Sequence, residues 1–249
     1  NAAGGLAILD AMTTAASSLE LDFTALTSTV ATVDMALESN AGVTLNTGGG
    51  DDVITMTISS VGDTISSGAG ADGITTAIAQ LTSADTVNGG AGTDTLTFSD
   101  VGAIADADFT NVSNIEALTL ADGTNTIVLG AEYAESGSVA ITGGTGADSI
   151  TLGSGVTTAQ TVALTTAGND TVAATGATGV ITVTMDDADL TAGDTLTGGS
   201  ASDVLTLTGT GTQVTAASMA NVTSFETIKV ATNAAFALLL NDANTVSGV

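Results

Sequence analysis

One short grammar recurs along this chain and restricts it to a fold of repeated turns and short strands: glycine, glycine, spacer, glycine, spacer, aspartate, spacer, aliphatic. The cleanest copies run from Gly89 to Leu96 and from Gly143 to Ile150, and weaker ones end at Asp52-Val53-Ile54, Asp72-Gly73-Ile74, Asp170-Thr171-Val172 and Asp203-Val204-Leu205. Glycine admits positive φ and lets the turn point its carbonyls inward. Aspartate supplies a hard anionic oxygen, and the aliphatic residue starts a strand directed into a core. The pattern predicts calcium-binding turns alternating with strands.

Charge points the same way. The chain carries 27 acidic residues and one basic residue, Lys229, for a net charge of −26 at pH 7, and it has no His, Cys or Trp. Nucleic acid is excluded as a partner because binding it requires cationic groups that displace counterions. An anionic membrane surface is excluded for the same reason. Self-repulsion on this scale opposes compaction unless a cation joins the fold, and the chain supplies almost none itself. With five Phe and one Tyr, burial must come from ladders of Val, Ile, Leu and Thr, as in a solenoid. No apolar run reaches bilayer length, so no transmembrane segment is expected.

Spacing supplies the expected architecture. Asp52, Asp72 and Asp94 stand 20 and 22 residues apart, Asp63 and Asp85 stand 22 apart, and the two sets interleave as two edges of one coil would. These turns resemble the hemolysin-type calcium-binding repeat (RTX) family. That resemblance implies a flattened parallel β-roll, calcium held between turns of adjacent coils, and export of the unfolded chain by type I secretion. Coils here are longer than the strict repeat of that family, with inserts such as Thr76–Leu81. A longer period is superimposed: the block from Asp85 to Thr97 returns as Asp194 to Thr206, and Asn111-Val112-Ser113-Asn114-Ile115-Glu116 returns as Asn221-Val222-Thr223-Ser224-Phe225-Glu226. This order is similar to RTX-bearing bacterial surface-layer proteins and is shared with large adhesins.

The expected fold is therefore all-β, a parallel β-roll or β-solenoid with calcium-binding glycine-aspartate turns. Residues 1–45 are read as an N-terminal cap or assembly segment, 46–142 as a first solenoid module and 143–249 as a second, truncated one. Ile8, Met12, Ala15 and Leu19 follow helical spacing and predict a short helical cap. The chain starts at Asn1 without an initiator methionine, which predicts a cut upstream.

The expected metal ligands are Asp52, Asp63, Asp72, Asp85, Asp94, Asp148, Asp170, Asp194 and Asp203, with Ca2+ as the ion. The competing reading is that Gly and Asp are simply good turn residues in an ion-free solenoid. Asp186, Asp187 and Asp189 lack the glycine frame and read as solvated loop charge. Glu116 and Glu226 read as edge residues tied to backbone, and Lys229 as an isolated surface charge.

Catalysis has little to stand on. Without His or Cys there is no triad base, thiol nucleophile or ordinary zinc cage, and carboxylate glycosidase chemistry lacks an aromatic sugar cleft. The expected role is an extracellular, cell-surface structural protein, calcium-stabilised and self-assembling as a homo-oligomer, head-to-tail or lateral, into a surface layer or filament. Cell-surface polysaccharide would be reached through regions outside this chain. The alternative is a calcium-rigidified stalk or ligand-binding module of a secreted adhesin. An ice-binding solenoid, suggested by Thr-x-Thr steps such as Thr95/Thr97 and Thr182/Thr184, ranks lower because irregular intervals are expected to break any regular ladder.

Overall fold

Strands form where β-branched and aliphatic residues alternate with small polar ones, and stacking of such strands is what buries their apolar side. The computed structural model describes residues 6–9, 18–56, 61–137, 140–164, 168–209, 213–231 and 237–238. The chain divides into two compact units. Among the described residues strand pairing is parallel and helix is confined to Ala131–Glu135 and two 3-10 turns, so each unit is a β-solenoid of stacked coils, as the repeat grammar predicts. No helix of the described residues is long and apolar enough to cross a membrane.

The first unit comprises residues 1–100, 106–119 and 135–138. One of its sheets stacks Leu6–Leu9, Thr32–Leu37, Val53–Thr55, Gly73–Thr76, Thr95–Phe98 and Ala117–Thr119, and a second stacks Leu19–Asp22, Val43–Asn46, Thr64–Ser66, Thr86–Asn88 and Val112–Ser113. Register aligns Val33, Ile54, Ile74, Leu96 and Leu118 in one inward column, all at 2 % exposure or less. Each such side chain contributes roughly 1.5–3 kcal/mol of burial.

The helical cap expected near the start is not what forms at its described ends. Leu6–Leu9 pairs with Thr32–Leu37 and Leu19–Asp22 pairs with Val43–Asn46. Short apolar runs satisfy either period, and here neighbouring strands decide the outcome. Met12 and Ala15 lie outside the described residues.

The second unit comprises residues 101–105, 120–134 and 139–249. Ala140–Thr142, Gln160–Ala163, Ile181–Asp186, Val204–Thr208 and Thr227–Val230 stack in one sheet, with Ala103–Ala105, Thr126–Leu129, Ser149–Leu152, Thr171–Ala173, Thr195–Thr197 and Val222–Thr223 in the other. Ile104, Ile127, Ile150, Val172 and Leu196 form the inward column of the latter.

The outer faces correct a further expectation. Thr55, Thr75, Thr97 and Thr119 stand in register on successive coils of the first unit, although their sequence intervals are unequal. Along this column the extra residues are taken up at corners, such as the 3-10 turn Ile78–Gln80, and the strand register is kept. In the second unit the outward column Thr126, Ser149, Thr171, Thr195 and its neighbour Val128, Thr151, Ala173, Thr197 contain no charged side chain.

Candidate functional site

Period-two alternation explains where the aspartates go. In every copy the aspartate stands two residues before a buried aliphatic, as in Asp72-Gly73-Ile74 and Asp94-Thr95-Leu96, so both side chains point to the interior. Asp52, Asp63, Asp72, Asp85, Asp94, Asp148, Asp170, Asp194 and Asp203 are accordingly all buried, at 0 to 4 % exposure. A carboxylate taken out of water needs partners, and the corner supplies one from the preceding coil.

That partner is a backbone N–H. In the first unit Ala31 N donates to Asp52 Oδ1 at 2.6 Å, Asp52 N to Asp72 Oδ1 at 2.7 Å, Asp72 N to Asp94 Oδ1 at 2.8 Å, and Asp94 N to Glu116 Oε2 at 2.8 Å. A second ladder on the opposite sheet runs from Val43 N to Asp63 Oδ1 at 2.9 Å and from Asp63 N to Asp85 Oδ1 at 2.8 Å. The second unit repeats the device. Asn125 N donates to Asp148 Oδ1 at 3.1 Å, Asp148 N to Asp170 Oδ1 and Asp170 N to Asp194 Oδ1 at 2.8 Å each, Ile181 N to Asp203 Oδ1 and Asp203 N to Glu226 Oε2 at 2.7 Å each. The predicted aspartates are thus brought together one per coil in ladders, and Glu116 and Glu226 are tied to backbone as expected.

The second carboxylate oxygens differ from corner to corner. Asp85 Oδ2 accepts the amide and hydroxyl of Thr82 at 2.8 and 3.0 Å, and Asp194 Oδ2 those of Thr191 at 2.6 and 3.1 Å. Asp203 Oδ2 accepts Gly199 N at 2.5 Å. By contrast, the buried Oδ2 atoms of Asp52, Asp72, Asp94 and Asp148 have no hydrogen-bond partner. The Ser67 hydroxyl lies beside Asp72 but donates to the carbonyl of Gly89 at 2.7 Å, and the Gly144 amide lies beside the Asp148 carboxylate without reaching hydrogen-bond geometry at Oδ2.

Glycine five residues before the aspartate has a steric reason. A Cβ at Gly89 would stand 2.7 Å from Asp94 Oδ2, one at Gly143 2.9 Å from Asp148 Oδ2, and one at Gly198 2.7 Å from Asp203 Oδ2. The carboxylate folds back under its own turn and fills the space a side chain would take.

One sequence reading changes at this level. Asp187 is buried at 3 % exposure and so is not a solvated loop charge, because it continues the inward parity of Ile181, Val183 and Met185. Thr82 and Thr191 stand three residues before Asp85 and Asp194 and cap them, but Thr145 stands equally three before Asp148 and does not cap it, so this spacing alone does not separate capped corners from open ones.

Desolvation pushes the Asp94 and Asp170 carboxyls up to about 6, and raises Asp72, Asp148 and Asp203 as well, against the lowering effect of the amides they accept. These groups hold protons more tightly folded than unfolded. For Asp94 and Asp170 the contribution to stability is therefore complete below the ordinary carboxylate range and is lost as pH rises through about 6, and for the other three it is lost in the same direction. Exposed Asp22 and Asp122 are shifted down by Thr24 and Thr145, so their opposite effect falls at lower pH. In chelator, acidification from about pH 7 to about pH 5 is expected to raise β content and the thermal midpoint, read by circular dichroism. A midpoint that falls over that window would contradict this assignment.

The donor set is carboxylate, carbonyl and hydroxyl oxygen, which suits a hard cation such as Ca2+. Among the described residues no three acidic side chains converge on one point, so any cation here draws on one or two carboxylates completed by other oxygens. No protein-family model, curated protein or solved structure matches the chain.

Proposed function

We propose that the chain is a calcium-stabilised structural β-solenoid of the hemolysin-type repeat class, acting outside the cell and assembling with copies of itself into a layer or filament. The observation that carries this reading is a set of buried corner carboxylates with unpartnered oxygens in a chain that has one cationic side chain. Such groups call for an external cation, and millimolar calcium is an extracellular condition. The uncharged outer columns of the second unit support lateral contact, since they give in-register β surface without charge on a chain that otherwise repels its copies.

Electron microscopy with and without calcium tests the assembly. Ordered arrays or filaments that form with calcium and disperse in chelator are expected. Isolated rods at high concentration in calcium would replace this reading with that of a stalk in a secreted adhesin. A second reading, ice binding, gains support from the in-register column Thr55, Thr75, Thr97 and Thr119, and an ice-recrystallisation assay reads it directly.

A further inference from the structure

The aspartates that share one sequence grammar do not share one state in the fold. Asp85, Asp194 and Asp203 have both carboxylate oxygens engaged, by the preceding coil on one side and by Thr82, Thr191 or Gly199 of their own turn on the other. Asp52, Asp72, Asp94 and Asp148 have one oxygen engaged and one buried without a partner, in residues 0 to 2 % exposed. In Asp94 and Asp148 the free oxygen is aimed into the hollow of the glycine turn, at the place a Cβ of Gly89 or Gly143 would occupy.

An unpartnered buried carboxylate oxygen costs free energy that a capped one does not, and a divalent cation recovers it by direct coordination. At a capped corner the same cation would have to break two hydrogen bonds to reach Oδ2 of Asp85 or Asp194, and one to reach that of Asp203. Building on the proposed calcium role, we infer that calcium enters at the open corners, Asp52, Asp72, Asp94 and Asp148, and that Asp85, Asp194 and Asp203 hold their corners without an ion. Asp52, Asp72 and Asp94 lie on successive coils, about 4.8 Å apart by the interstrand step, close enough for neighbouring carboxylates to share one ion. The ion count therefore falls below the count of grammar-matching aspartates.

Equilibrium dialysis of the full chain against calcium alone, with binding counted per folded chain, tests the division. Asp94→Asn and Asp148→Asn are expected to lose bound calcium relative to the unaltered protein, while Asp85→Asn and Asp194→Asn keep the full count and lower only the thermal midpoint. Asparagine retains an acceptor for the preceding coil, and circular dichroism verifies the fold of each variant. The unaltered protein gives an independent count, expected to be lower than the number of grammar-matching aspartates. Loss of calcium from Asp85→Asn or Asp194→Asn equal to that from Asp94→Asn, or one ion per grammar-matching aspartate in the unaltered chain, would overturn the division and leave the calcium role standing. Absence of any calcium binding by the unaltered chain would overturn both.

Discussion

Gly90→Ala is expected to destabilise the protein by about 2–5 kcal/mol, whereas Gly73→Ala, in the strand Gly73–Thr76, is expected to be neutral or to stabilise by about 0.5 kcal/mol. Gly90 has φ of +93°, and a Cβ there would overlap the carbonyl oxygen of Gly68 on the preceding coil. That carbonyl accepts Ala91 N at 2.8 Å, so a forced shift also opens the short ladder between Ala69–Gly70 and Ala91–Gly92. Left-handed strain of about 1–2 kcal/mol and overpacking of about 1–3 kcal/mol add at one residue. Gly73 meets only the carbonyl oxygen of Asp52, at 4.0 Å, and sits within a strand where alanine fits. Chemical denaturation of the two variants in calcium checks the contrast, and equal midpoints would show that coil contact at the glycine stack does not limit stability.

Much of this arrangement could be read from residue order alone. The Asp-x-aliphatic spacing fixes both the strand start and the inward direction of the carboxylate, and the alternation in Gly179–Met185 marks a half-buried strand. What the order of residues conceals is register. The ladder partners are 20 to 24 residues apart, at unequal steps, so nothing in the sequence tells which amide meets which carboxylate. The same unequal steps hide the column Thr55, Thr75, Thr97 and Thr119, which exists because insertions bulge at corners. At the N-terminus the spacing of Ile8 and Leu19 fits a helix equally well, and only pairing with Thr32–Leu37 and Val43–Asn46 makes their segments strands. Asp187 lacks the glycine frame and so reads as solvated, although its parity with Met185 places it inside.

Removal of calcium is expected to have the largest effect of all. The chain then folds against a net charge of −26 with four buried carboxylate oxygens unpartnered among the described residues' corner aspartates, Asp52, Asp72, Asp94 and Asp148. Each desolvated, unpaired acceptor costs on the order of 1–3 kcal/mol. Conversely, a site with a dissociation constant of roughly 10⁻⁴ to 10⁻³ M, as in extracellular calcium modules, contributes about 1.4–2.7 kcal/mol at roughly 10 mM calcium. A few such sites match the whole stability of an ordinary domain, roughly 5–15 kcal/mol. Folding and binding are then expected to be one equilibrium, with the chain unfolded where calcium is scarce.

Far-ultraviolet circular dichroism at neutral pH, recorded in chelator and then through a calcium titration at constant ionic strength, addresses this most directly. Constant ionic strength separates coordination from simple screening of the acidic surface. The expected result is loss of most β signal in chelator and its cooperative return with calcium, with sodium chloride alone unable to restore it. A β spectrum that is unchanged in chelator would show that the amide ladders hold the solenoid without an ion and would contradict the calcium-stabilised account.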